Sequence, residues 1–120
     1  MPRARRPARA ASVVVTTFGS PEAAAQVASQ LVTERLAACG SVVPGVRSIY
    51  AWKGKVEDAA EALLVLKSLP GREAALERRL RELHPYDLPE VLVGRPRAQE
   101  EYRRWIADWV GAAPRRKRAR

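Results

Sequence analysis

"SVVPGVRSIYAWKGKVEDAAEALLVLKS", Ser41 to Ser68, decides the fold. Val46, Ser48, Tyr50 and Trp52 alternate with Arg47, Ile49 and Ala51, which places the two sets on opposite faces of one strand. Lys53-Gly54 makes a two-residue turn, and the chain returns through Val56 to Lys67 with Ala60, Ala62, Leu64 and Leu66 at every second position. Pro44-Gly45 interrupts the outward arm and predicts a bulge or bend. The product is a hairpin whose arms of about twelve residues, at ~3.3 Å per residue, span about 40 Å. One layer of helices is too short to cover such an arm.

The flanking segments supply the rest of the sheet and its cover. "SVVVTTF" (Ser12 to Phe18) is β-branched and reads as a buried strand. In "GSPE", Ser20 suits an N-cap, Pro21 the first helical position, and Glu22 the positive end of the helix dipole. That helix is expected from Ala23 to about Ala38, with Val27, Ala28, Leu31, Val32 and Leu36 on its buried stripe and Gly40 as its stop. A second helix runs roughly from Arg72 to Leu83, with Leu76, Leu80 and Leu83 on one side. Pro85 halts it, because a residue before proline avoids the α region. "PEVLV" (Pro89 to Val93) reads as a last strand, and Ala98 to Val110 as a third helix with Tyr102, Trp105, Ile106 and Trp109 on one side.

The order is β-α-β-β-α-β, then α. This is an α+β, ferredoxin-like arrangement: an antiparallel sheet with two helices on one face, a long hairpin, and a C-terminal helix. The distal hairpin leaves Val46, Ile49, Tyr50 and Trp52 without cover from their own chain. Exposed aromatic strand surface and open edges favour a partner, so an oligomer joined by sheet extension between hairpins is expected. The third helix is expected to pack over a neighbour or over the open sheet.

Composition narrows the function. The chain has 120 residues, favouring one domain, and 47% are hydrophobic, enough for a core. The formal charge of +9 suggests nucleic acid until it is mapped. Nine of the 22 basic residues lie in 1–11 and 112–120, which hold no acid, so 12–111 carries thirteen charges of each sign. Those two segments read as solvated, disordered basic tails around a 12–111 domain, and nucleic-acid binding has support from the tails alone. No apolar run reaches the ~18 residues of a membrane span. The single cysteine, Cys39, can form no disulfide within the chain, which fits a reduced, cytoplasmic protein.

With this order established, "ERLAACGSVVPGVRSIYAWKGKVED", "LLVLKS" and "LHPYDLPEVL" together resemble the CutA divalent-cation tolerance family over about residues 12 to 110. The resemblance implies a ferredoxin-like subunit in a tight homotrimer with hairpins packed between subunits, and an architecture related to the PII signalling proteins. It implies a role in tolerance of metals, copper above all. Copper binding in some relatives is attributed to a cysteine late in the first strand and two consecutive histidines ending the second helix. Those positions match Thr17 and Leu83-His84 here, so His84 alone is kept.

Each candidate residue carries two readings. His84, the only histidine, is a metal ligand or a helix-end ring bonded to a backbone carbonyl; copper and zinc typically need about three or four donors. Cys39, expected at a helix C-terminus, is a soft ligand for Cu(I) at an interface or a small buried hydrophobe. Lys67, Trp52, Tyr86 and Glu90 are expected to meet across a subunit boundary. There they form a cleft for a metal, a small anion or a metabolite, or a purely structural interface in which Lys67 pairs with Glu90. No cofactor is required, and copper or another divalent cation is an optional ligand. The alternative function is a PII-like regulatory or scaffold protein that binds a small anion and touches metal only indirectly. No relay of histidines, phosphate-cradling loop, CxxC or HExxH occurs, so no enzyme is expected.

Overall fold

The computed structural model describes residues 9–111. The basic stretches 1–8 and 112–120 lie outside the described residues, and so do the readings made on them. The elements run β1 (Ser12–Phe18), α1 (Pro21–Thr33), β2 (Cys39–Trp52), β3 (Lys55–Ser68), a 3-10 turn (Pro70–Arg72), α2 (Glu73–Leu83), β4 (Leu92–Gly94) and α3 (Glu100–Val110). They form one antiparallel sheet in the order β2-β3-β1-β4, which is the ferredoxin-like topology.

The hairpin forms as expected. Trp52 pairs with Lys55 across Lys53 and Gly54, whose φ values of 52° and 80° are those of a type I′ turn. The register slips between Val43 and Val46, where Pro44 and Gly45 (φ 73°) stand as a bulge. Along β3, Ala62, Leu64, Leu66 and Ser68 are buried while Glu61, Leu63, Val65 and Lys67 are half-buried. The buried set faces α1 and α2, and packs with Val14, Phe18, Ala24, Leu31, Leu76 and Leu80 in one core. Among the described residues, the opposite face of the sheet has no second layer. Its side chains include Val13, Val15, Val43, Leu63 and Val65.

Four expectations are corrected. First, α1 ends at Thr33, not near Ala38. Leu36 N–H donates to the Leu31 carbonyl and Arg35 N–H to that of Val32, closing a Schellman motif with Arg35 at φ 61°. Arg35 holds this left-handed position while its guanidinium lies 3.6 Å from the Trp109 ring centroid and donates to the Trp109 carbonyl. Second, Gly40 lies in β2 and stops nothing. A Cβ there would sit 2.9 Å from Ala28 Cβ, so glycine permits α1 to approach the sheet. Third, β4 is Leu92–Gly94; Pro89 to Val91 run outside the ladder. Fourth, Arg9–Ala11 are not tail: Ala10 bridges Arg97 and Ala11 N–H donates to the Pro96 carbonyl.

α2 begins at Glu73, one residue later than expected, and α3 at Glu100, with Gln99 capping Tyr102 N–H. Glu73 is buried at the start of α2. Arg95 grips it with two hydrogen bonds of 2.8 and 2.9 Å, and the Ser12 hydroxyl donates to it as well. α3 buries Ile106 and Val110 against Ala11, Ala38 and Leu69, while Tyr102 and Trp105 stay exposed. Among the described residues, no helix is long and apolar enough to cross a membrane.

Candidate functional site

The segment after α2 carries the site. His84 caps α2 in an extended conformation (φ −78°, ψ 133°), as its following proline requires. Its ring is buried, stacked on Phe18 with centroids 4.2 Å apart and edge-on to Tyr86 at 4.8 Å. Tyr86 N–H donates to Nδ1 at 3.2 Å, so Nδ1 holds the lone pair and Nε2 the proton. Nε2 then donates to the Thr17 carbonyl at 2.8 Å, with Thr16 Oγ1 at 3.1 Å. Burial pushes the imidazole pKa down, against the opposing pull of the Thr17 carbonyl and Glu61. His84 is therefore a neutral ring that pins the 84–86 corner to β1.

Beyond this corner the chain faces the distal hairpin across a cavity of about 800 Å³. Ser48, Tyr50 and Trp52 form its β2 side, Ala59 and Glu61 its β3 side, and Tyr86 to Glu90 its far wall. Tyr86 hydroxyl donates to Glu61 Oε2 at 2.8 Å. Burial, then that bond to a carboxylate, pushes the phenol up to about 12. Trp52, Tyr86 and Glu90 thus line one cavity within a single chain, whereas the expectation had them meet Lys67 across a subunit boundary. Lys67 lies on the same sheet face but six residues along β3 from Glu61, roughly 20 Å away at a strand's rise. Within one chain it does not reach them.

Lys67 has its own small cluster. Its Nζ lies 2.5 Å from Ser41 Oγ and 3.6 Å from the sulfur of Cys39. Cys39 opens β2 directly opposite Lys67, and does not sit at a helix C-terminus. It is a half-buried free thiol.

The donors present do not make a copper site at the place the resemblance points to. Both ring nitrogens of His84 are engaged, Thr17 offers oxygen, and Leu83 offers nothing. Among the described residues, no three His, Cys, Asp or Glu side chains converge. Sequence reading missed Glu61, Tyr50 and Asp87 as site residues. Glu61 had a signal: it is the carboxylate that stands next in the alternation to Leu63 and Val65 on the half-buried face of the strand. Tyr50 had one too, since it shares a face with Trp52.

Residues 12–109 match the family described as CutA1 divalent ion tolerance protein. A relative from Thermus thermophilus, named Divalent-cation tolerance protein CutA, is 43% identical over 101 residues, spanning 82% of this chain and 97% of the relative. The solved structure of a divalent cation tolerance protein (Cut A1), also from Thermus thermophilus, is similar with a TM-score of 0.79 at 40% identity, over 84% of this chain and 99% of that one. Another, described as the PII-like protein CutA from Nostoc sp. PCC 7120 in apo form, gives a TM-score of 0.74 at 36% identity, over 79% and 92% of the two chains.

Proposed function

The chain belongs to the CutA1 divalent ion tolerance family, and from that premise we propose that it serves divalent-cation tolerance, copper first, as a non-catalytic cytoplasmic homotrimer with ligand clefts between subunits. The observation that carries the assembly is the bare face of the sheet. Among the described residues, helices cover one side only, and the other presents Val13, Val15, Leu63 and Val65, with Val43 and Leu92 exposed. The distal hairpin adds exposed Ile49, Tyr50, Trp52 and Val56. Apolar strand surface of this extent favours burial against copies of the same chain. Sedimentation tests this: a trimer at micromolar concentration is expected, and a stable monomer there overturns it.

Metal is an optional ligand of this assembly. Cys39 is the soft donor on the bare face, whereas His84 would first have to leave its pocket. Calorimetric titration of copper and zinc into the whole chain, repeated with Cys39→Ser and His84→Ala, tests direct binding. Affinity weaker than ~1 mM, worth only ~4 kcal/mol, or affinity unchanged in both variants, rejects it at these residues. The cavity beside the hairpin is the other ligand site of this reading. Its charge favours the metal-tolerance reading over the PII-like small-anion alternative, because Glu61, Asp87 and Glu90 line it and no lysine or arginine does.

A further inference from the structure

The ligand class of the cavity beside the distal hairpin follows from its walls. Tyr50, Trp52 and Tyr86 supply aromatic surface, and Glu61, Asp87 and Glu90 supply carboxylates. Tyr86 occupies one oxygen of Glu61. Asp87 and Glu90 make no ion pair or side-chain hydrogen bond among the described residues. The body as a whole is charge-balanced, so this concentration of negative charge is local. Aromatic faces attract cations through their quadrupole, and carboxylates reinforce that attraction where water is partly excluded. The Trp52 ring already draws one: Lys53 Nζ stands 5.7 Å from its centroid.

The geometry points to an organic ammonium ion, a cationic head on an apolar body, as the ligand of this cavity; the inference rests on the reading above that the cavity is a ligand site. A bare divalent metal fits less well. It seeks oxygen donors that converge within coordination distance, and gains little from aromatic walls. Here the carboxylates are spread around a space of about 800 Å³, and no three of them converge. An alkyl- or arylammonium uses both kinds of wall at once, with its charge toward the acids and its apolar body against Tyr50 and Trp52.

Three isosteric probes separate the terms: benzylammonium, benzyl alcohol and benzoate, titrated calorimetrically into the full chain at near-neutral pH. Benzylammonium is expected to bind at least ~10-fold tighter than benzyl alcohol, with benzoate weakest. Trp52→Ala and Glu61→Gln are each expected to weaken benzylammonium ~10-fold or more. Should Glu61→Gln disturb folding through the lost Tyr86 contact, the exposed pair Asp87→Asn with Glu90→Gln carries the charge test instead. Equal binding of benzyl alcohol or benzoate overturns the inference, as does benzylammonium binding that ignores these substitutions. Binding of none of the probes by a protein that still sediments as a trimer means a neighbouring copy fills the space. That outcome overturns the ammonium ligand and leaves the trimer standing. A monomer that binds benzylammonium does the reverse.

Discussion

The two halves of the long hairpin contrast sharply. Beside β1, β3 buries Ala62, Leu64 and Leu66 completely beneath two helices. Beyond the bulge, the same two strands leave Ile49 64% and Val56 78% exposed. Both halves have the same period-two pattern and the same ladder of hydrogen bonds. What separates them is the length of the helix layer, which ends where the bulge begins. One half is a finished core; the other is half of a surface. The proposed trimer gives that difference a purpose, since a cleft between subunits would need each chain to carry an unfinished wall.

The strongest way to break this comparison is to remove a side chain from each half. Leu66→Ala is expected to cost about 3 kcal/mol, from lost transfer energy and the cavity left behind. Ile49→Ala should cost little in an isolated chain. If a partner covers the distal half, its cost appears only in the assembled state. Denaturant unfolding at two protein concentrations tells these apart: the Leu66→Ala difference should be the same at both, and the Ile49→Ala difference should depend on concentration. A large, concentration-independent loss for Ile49→Ala would mean that the chain finishes its own distal half.

The next effect belongs to the covered half. Glu73 is pinned by Arg95 and Ser12, and the Arg95 guanidinium holds its carboxyl below the ordinary value of 4.5, against burial. The folded state thus prefers the ionised form. Its contribution is complete above that ordinary value and is lost as pH falls through the lower folded pKa. Glu73→Gln is expected to cost about 1–2 kcal/mol near neutrality, discounted because Arg95 is largely exposed. Unfolding midpoints measured from pH 6 down to 3 should fall less steeply in the variant. An equal slope would assign the acid sensitivity elsewhere.

Much of this architecture is legible in the residues, and the failures have physical causes. The hairpin shows itself through alternation and through Lys53-Gly54, whose positive φ values match the twist of the strands. The end of α1 does not show itself, because arginine rarely takes the left-handed position that Arg35 holds against Trp109, 74 residues away. Gly40 misleads because its reason is steric, a close approach to Ala28 that no local pattern encodes. At the site, Trp52, Tyr86 and Glu90 are recognisable as polar or aromatic residues beside turns. Glu61 joins them only through Tyr86, 25 residues on. Lys67 groups with them by chemistry, and within one chain the length of the strand separates it from them.

His84 stands where the two halves meet, which gives a smaller, pH-dependent effect. Burial lowers its pKa below 6.5, so the neutral ring is the folded form. The stability it contributes is complete above 6.5 and is lost as pH falls through the folded pKa. Protonation would set an Nδ1–H against Tyr86 N–H and loosen the wall that Tyr86 to Glu90 give the cavity. Midpoints recorded between pH 7.5 and 5.5 should decline modestly, and His84→Gln should flatten that decline. An imidazole that titrates above 6.5 by NMR would contradict the buried neutral assignment.

The smallest effect is the most pointed test of the distal half. Arg47 grips Asp58 across the hairpin with bonds of 2.9 and 2.6 Å, a bidentate geometry that in a buried place would matter. Both side chains are largely exposed, at 75% and 48%. Each shifts the other's pKa in the direction that favours charge. Water and salt screen such a pair, and ordering two side chains offsets what attraction remains. Asp58→Asn, Arg47→Gln and their combination should therefore leave the unfolding midpoint unchanged within error, and the double-mutant cycle should show no coupling. Coupling that emerges only at trimer-forming concentrations would mean that a neighbour desolvates this pair as well as Ile49, which stands opposite Asp58 on the same face. The covered part of the back of the hairpin would then reach beyond Ile49 to its charged pair.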